Sequence, residues 1–514
     1  MSKSKSKSFV HYSAMITVIL TLSKIMGYVR DMIISAIFGA TRESDILRIA
    51  TTIPNSLFSF LAAAIVTTFI PVFANVKDDK EEANKFFNNI VNIVIIICTV
   101  LVGLGIIMAP QLTKLFASGF KGEDFTRTVE LTKVVMPSIL FLGLSGLYTG
   151  YLQSYGVFLQ PALTGISADI VVIIGVIVFR QYGIMAAIVA TMVSSIAQVL
   201  VQRPFMKEYK YKPYIDLKDD NVKRMLVLAV PILISTAAGE INRMVGKNFA
   251  SNLDPGSVVI VDLAGKLSSI INQVFVVSIT TVLYPMFTDK FSKGDREGFK
   301  DLFGKAVSII ITIVIPLIFG MAVLSKPLVK LLLERGKFDS SATEITSQCL
   351  KYLAFSALGY SLIDILNKVF FSMKNTTTPM INNISMIVLN IVLINVLVPG
   401  MGVNGLALAN TLAVCIISAI MLVELKFKMK DLNYKKVGIV SLKVLASGIV
   451  MAVVVYLSYS YLGLIIKGSQ TLALLIKVLI ATVIGALVYS GMLILLKVEE
   501  FKTIISMKIK KGNA

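Results

Sequence analysis

Long apolar stretches alternate with short polar ones along the whole chain, and their length scale is that of a lipid bilayer. About 20 apolar residues in a helix cross the hydrocarbon core. Windows of this kind lie near 11–37, 46–74, 87–108, 131–155, 159–179, 183–202, 225–250, 257–287, 304–324, 346–373, 379–399, 404–425, 438–464 and 471–496. The pattern predicts an all-α polytopic membrane protein of about 14 transmembrane helices. Pro54, Pro137, Pro231 and Pro316 fall inside these windows. They mark expected breaks, where neighbouring helices can satisfy the freed backbone groups.

The windows also repeat. Thr67-Thr68-Phe69-Ile70-Pro71-Val72-Phe73 in span 2 matches Thr280-Thr281-Val282-Leu283-Tyr284-Pro285-Met286-Phe287 in span 8, with Pro71 over Pro285 and Phe73 over Phe287. Ser23 and Gly27 of span 1 fall over Ser235 and Gly239 of span 7, and Tyr182-Gly183-Ile184 before span 6 over Met401-Gly402-Val403 before span 12. Six spans thus correspond to six spans with the same orientation. A parallel repeat of this kind implies two six-helix lobes related by an axis along the membrane normal, with a substrate site between them. The expected organisation is an N-lobe over 1–203, a cytoplasmic loop over 204–224, a C-lobe over 225–430, and two C-terminal helices with a basic cytoplasmic tail over 431–514.

Composition supports the membrane reading. Hydrophobic residues make up 56 % of the 514 residues and charged residues 16 %, against about 25 % charge in a soluble domain. A cytosolic enzyme and a disordered chain are excluded. The net charge of +20 would suggest nucleic acid in a soluble protein, but here it lies mostly in the loops, and no nucleic-acid partner is needed to explain it. With both termini in the cytoplasm, roughly 28 Lys/Arg fall on that side and about 10 outside, which sets the orientation of the chain in its membrane. The loop 203–224 carries Arg203, Lys207, Lys210, Lys212, Lys218, Lys223 and Arg224, a solvated, orienting loop on the simplest reading. The basic start from Met1 to Ser8 lacks a cleavage site before its long apolar run and reads as part of a retained first span.

Chemistry-bearing residues are few. Cys98, Cys349 and Cys415 sit in apolar runs without paired spacing, and His11 is the sole histidine, so neither a disulfide framework nor a metal site is readable. No phosphate-binding Gly-x-x-x-x-Gly-Lys-Ser/Thr loop and no Gly-x-Ser-x-Gly elbow is present. No catalytic residue, metal or cofactor is expected, and any energy must come from an ion gradient, the membrane potential or a downhill substrate.

Charges inside the spans are the informative exception, because each costs at least about 2.5 kcal/mol on insertion scales and normally faces a cavity or a partner. Span 1 carries Lys24, Arg30 and Asp31; span 2 begins with Asp45 and Arg48; span 7 carries Glu240, Arg243 and Lys247; span 8 carries Asp262 and Lys266. These are repeat-equivalent spans, so the charges are expected at the lobe interface. One reading is that each cation pairs with a nearby acid, Arg243 with Glu240 and Arg48 with Asp45, and merely joins helices. The other is that the surplus of cations serves an anionic ligand such as a diphosphate. Lys351, Lys368, Lys443 and Lys477 lie near span ends and are expected to snorkel. Asp169 and Asp364 show no obvious cation neighbour; each is a candidate proton or cation site, or a hydrogen-bonded structural acid.

Gly27-Tyr28-Val29-Arg30-Asp31, Ile37-Phe38-Gly39-Ala40, Asp45, Ile53-Pro54-Asn55 and Phe69-Ile70-Pro71-Val72-Phe73 together resemble the N-terminal signature of the MurJ (MviN) lipid II flippases. The likeness continues through Phe158-Leu159-Gln160-Pro161-Ala162, Val277 to Pro285, Leu333-Glu334-Arg335-Gly336-Lys337-Phe338, Thr378-Pro379 and Gly405-Leu406-Ala407-Leu408-Ala409. The resemblance implies a fold of the MOP superfamily with a cationic central cavity. It also implies export of lipid II, the undecaprenyl-diphosphate-linked precursor of peptidoglycan, with membrane lipids as surroundings and a monomer as the working unit. The family's cavity cations match Lys24, Arg30 and Lys266, and its acid matches Asp45. The chain departs from the family in span 2, with Phe58-Ser59 and Ala63-Ala64 where many relatives have Arg-Arg and Glu-Gly. It departs again in span 7, with Gly246 where some carry an acid. The expected substrate-binding set is Lys24, Arg30, Asp31, Asp45, Arg48, Arg243 and Lys266. Two alternatives stay open: a flippase for another polyprenyl-linked oligosaccharide, and a cation-coupled multidrug antiporter, which would want acids and aromatics rather than surplus cations.

Overall fold

The computed structural model describes residues 3–429, 434–466, 468 and 471–501; the tail 502–514 and the side chains of His11, Ala63, Ala64 and Ser235 lie outside the described residues. Among the described residues the chain is helical without strands. The helices are α1 (Lys3–Phe38), α2 (Arg42–Phe73), α3 (Lys80–Ile107), α4 (Ala109–Phe116), α5 (Gly122–Val135), α6 (Ser138–Ser154), α7 (Leu159–Val178), α8 (Ile184–Gln202), α9 (Asp220–Ser251), α10 (Ser257–Ile271), α11 (Val277–Ser292), α12 (Arg296–Val323), α13 (Ser325–Leu333), α14 (Ser340–Ser372), α15 (Thr377–Met401), α16 (Val403–Lys428), α17 (Tyr434–Ile465) and α18 (Thr471–Leu495).

Among the described residues, 11 helical stretches are long and apolar enough to cross a membrane. The other three expected spans fall in α1, α2 and α9, of 36, 32 and 32 residues, so the count of fourteen is not reached on these criteria. Of the expected proline breaks, Pro137 separates α5 from α6, whereas Pro54 and Pro316 sit inside continuous helices. Span 8 is interrupted instead by a wide turn over Asn272–Val276, between α10 and α11. Acidic and hydroxyl caps define several helix starts: Thr41 accepts from Ser44 N, Asp79 from Glu81 N and Glu82 N, Asp295 from Gly298 N and Asp339 from Ala342 N.

Contacts divide the chain into two compact units, one of Met1–Val259 with Arg335–Phe338, the other of Ile260–Glu334 with Asp339–Ala514. This division falls after Val259 and not in the 204–224 loop, because α9 lies along α2. Inside the first unit, α2 packs on α5, α6 and α9, and its Phe69 and Phe73 stack in a fully buried aromatic core with Phe86 and Phe87 of α3. The segment Arg335–Phe338 docks on the α1–α2 turn, with Lys337 N donating to Ala36 O at 2.8 Å. Gly336 is required there: its φ is +57°, and a Cβ would stand 2.2 Å from Ala36 O. In the second unit α12, α14 and α16 form the core. Helices α17 and α18 pack on each other and on α12, where Tyr489 donates to Thr312 O at 2.8 Å.

The repeat is visible in the backbone. Helices α3 and α12 both have 28 residues, and short helices of 8 and 9 residues follow them directly. Gly183 before α8 and Gly402 before α16, matched in sequence, share φ values of 61° and 54°. Few other residues adopt that conformation without strain.

Candidate functional site

In the first unit the charged residues of α1 are gathered between two neighbouring helices. α1 runs closely along α7: a Cβ on Gly165 would lie 2.2 Å from Ser23 Oγ, and one on Gly27 3.5 Å from Asp169 Oδ2. This close approach lets Arg30 Nη1 donate to Asp169 Oδ1 at 2.7 Å. On its other side Arg30 lies 3.4 Å from Asp31 Oδ1, which also accepts from Arg48 Nη1 of α2 at 3.1 Å. The result is a chain of alternating charge, Asp169, Arg30, Asp31 and Arg48, across α7, α1 and α2. Asp169, Asp31 and Arg48 are nearly closed to solvent, with side chains 8 %, 5 % and 11 % exposed, while Arg30 is 30 % exposed. Arg30 is therefore the member that an external anion can reach. Lys24, two turns back on α1, is exposed and has no acidic partner among the described residues.

Asp169 thus has a cation partner after all. Sequence reasoning missed it because 139 residues separate the two side chains. Arg48 pairs with Asp31 and not with Asp45. Asp45 is fully buried and accepts from Gly256 N at 2.7 Å and Val259 N at 3.0 Å, with Arg42 at 3.8 Å. Its carboxylate fastens the turn leading into α10. Glu240 and Arg243 pair on α9 as the spacing suggested, and Glu240 also accepts from Ser56 Oγ at 2.9 Å. Lys247 donates to Thr52 Oγ1 at 2.5 Å. Arg243 remains 68 % exposed, so one face of its guanidinium is open.

The second unit holds Lys266 3.0 Å from Asp262, one turn apart on α10. A further cluster joins α11 to α14: Lys368 Nζ donates to Thr280 Oγ1 at 2.5 Å and lies 3.0 Å from Asp364, which also accepts from Thr280 Oγ1. Lys368 is therefore a partner of Asp364 and does not snorkel. The i, i+4 spacing of Asp364 and Lys368 was a usable signal; the participation of Thr280 was not.

Long apolar helices that carry ion-pair networks, with Arg30 and Arg243 partly open to solvent, mark a polytopic membrane protein with polar chemistry inside its spans. The lipid II flippase MurJ family profile matches residues 34–497. A probable lipid II flippase MurJ of Rickettsia prowazekii is 26 % identical over 509 residues, 95 % of this chain and 98 % of that protein. A structure of lipid II flippase MurJ in an inward closed conformation superimposes with a TM-score of 0.79 at 26 % identity, covering 96 % of this chain and 100 % of the other. An inward-facing MATE multidrug transporter of the MOP superfamily shares the fold, with a TM-score of 0.66 at 14 % identity over 80 % of this chain and 96 % of its own. The chain belongs to the lipid II flippase MurJ family.

Proposed function

We propose that this protein carries lipid II from the inner to the outer leaflet of the bacterial cytoplasmic membrane by alternating access, with Arg30 as the principal contact to the diphosphate. The observation that carries this reading is the state of Arg30: partly exposed, and held at both ends by buried carboxylates of Asp169 and Asp31. A diphosphate offers the same bidentate oxygen geometry as those carboxylates and can take over one of their places. Asp169 and Asp31 then serve as resident counterions that keep Arg30 ordered when no lipid is bound. Lys24, Arg243 and Lys266 add positive charge for the pyrophosphate and its sugar-linked end. Arg48 orders Asp31, and Asp45 contributes by fixing the α9–α10 turn. The polyprenyl tail is too long to enclose and stays in lipid along α17 and α18. On this reading the termini face the cytoplasm, the working unit is a monomer, and no covalent step occurs.

The experiment is replacement of an essential lipid II flippase by this gene, scored for growth and for lipid II accessible at the outer surface. Growth with surface-accessible lipid II supports the assignment. Failure of a well-expressed, correctly inserted protein, together with transport of a different polyprenyl-linked glycan, overturns it.

A further inference from the structure

The loop that follows α8 is basic, with Arg203, Lys207, Lys210, Lys212 and Lys218 against Glu208, Asp216 and Asp219. It runs extended along the first turns of α3, where a row of asparagines holds its main chain. Asn88 donates to Lys210 O at 2.9 Å and accepts from Lys212 N at 2.8 Å. Asn89 exchanges both bonds with Asp216, each at 2.8 Å, and Asn92 donates to Lys212 O and Tyr214 O, each at 3.2 Å. These amides give the loop what a partner strand would give it. Tyr209 is buried edge-on against Phe87, and Met206 is buried with it.

The main chain, Met206 and Tyr209 are committed inward, and the Tyr211 hydroxyl donates to Asn92 Oδ1 at 2.8 Å, while other side-chain surface of the loop stays exposed. Phe205, Tyr211, Ile215 and Leu217 are 49 %, 54 %, 52 % and 63 % exposed. Lys207, Lys210 and Lys212 are exposed beside them and have no acidic partner among the described residues. Glu208 is taken by Lys80 at 3.0 Å, and the Asp216 carboxylate accepts from Lys218 N at 2.8 Å.

The height of the loop follows from α3 itself. Between Ile90 and Ile107 the polar residues are Asn92 and Thr99 alone. Such a run is ~27 Å long, close to the ~30 Å hydrocarbon core. The turns carrying Asn84 to Asn89 therefore stand at the level of the lipid headgroups, with Asn92 at their inner edge. Exposed aliphatic and aromatic side chains are costly in water, and together with lysines that have no acidic partner among the described residues they suit that zone.

We propose that residues 205–218 form a fixed interfacial strap that binds anionic glycerophospholipids, with Lys207, Lys210 and Lys212 on the headgroup phosphates and Tyr211, Ile215 and Leu217 at the acyl boundary. The assignment does not depend on what the protein transports. The chain has no tryptophan, so Ile215→Trp, or Leu217→Trp if the first disturbs folding, is a single-site reporter. The full chain is reconstituted in mixed phosphatidylcholine and phosphatidylglycerol vesicles, with bromine on the acyl chains of one lipid or the other. The expected result is blue-shifted emission, quenched at least about twofold more strongly by the brominated anionic lipid at equal mole fraction. Lys207→Gln, Lys210→Gln and Lys212→Gln together should remove that preference. Emission typical of hydrated indole without bromine quenching at both positions overturns the proposal. So does equal quenching by the two lipids, or a preference that survives loss of the three lysines.

Discussion

Arg30 of α1 reaches Asp169 of α7 and shares Asp31 with Arg48 of α2, so the ionic network of the first unit ties three helices together. In the second unit Lys266 lies one turn from Asp262 on α10, and Lys368 one turn from Asp364 on α14, where Thr280 of α11 bonds to both. The difference is physical. A pair at i, i+4 can form in an isolated helix, is worth a few tenths of a kcal/mol, and moves with its helix. A pair between helices exists only while those helices are packed, and removing one member leaves a charge stranded in a poorly solvated place. The spacing of Asp262 and Lys266 is thus set by one helix, whereas the Arg30–Asp169 contact reports how α1 sits on α7. A ligand that competes for Arg30 acts on the packing of α1 against α7.

The largest effect that could break this comparison is expected at Arg30. Arg30→Ala should lower lipid II flipping in reconstituted vesicles at least about tenfold, since lysine or alanine cannot reproduce a bidentate fork, while the amount of protein in the membrane stays normal. Near-normal flipping would remove Arg30 from the mechanism.

Next comes the contrast in stability. Asp169→Asn should destabilise the detergent-solubilised protein by roughly 1–3 kcal/mol, less than the full penalty of a broken buried pair because Arg30 is partly solvated. Asp301→Asn, which breaks the exposed i, i+4 pair with Lys305 on α12, should cost less than about 0.5 kcal/mol. Thermal unfolding of the two variants, read side by side, checks this; equal losses would mean that the interhelical network has no special weight. A double-mutant cycle sharpens it further, with coupling between Arg30 and Asp169 larger than that between Lys305 and Asp301.

Lys266→Gln should reduce flipping, because it removes one cation from the set assigned to the diphosphate. Unchanged flipping would take Lys266 out of that set. The smallest effect is expected for Lys24→Arg. Lys24 is exposed and has no acidic partner among the described residues, so the longer guanidinium meets no fixed geometry, and growth in the complementation assay should stay within about twofold of the parent chain. A strong loss would show that the site is shaped around an ammonium.

Several parts of this protein could be read without coordinates. Apolar runs of bilayer length determine transmembrane helices, because a helix is the one structure in which a single segment satisfies its own backbone in lipid. The glycines at 183 and 402 and the paired Pro71 and Pro285 disclosed the repeat, because a positive φ or a proline restricts the chain locally. The pairs Glu240–Arg243 and Asp262–Lys266 followed from helical spacing alone. What tertiary structure decided is which acid serves which cation across helices. Asp169 could not be assigned to Arg30 from its neighbours in sequence, and Asp45 lies one turn from Arg48 yet serves the backbone of Gly256 and Val259. Local spacing fixes the distance between residues on one helix, but which face of that helix meets another is set by close approaches such as Gly165 against Ser23. Those depend on the summed packing of helices far apart in the chain, and no short stretch of sequence contains it.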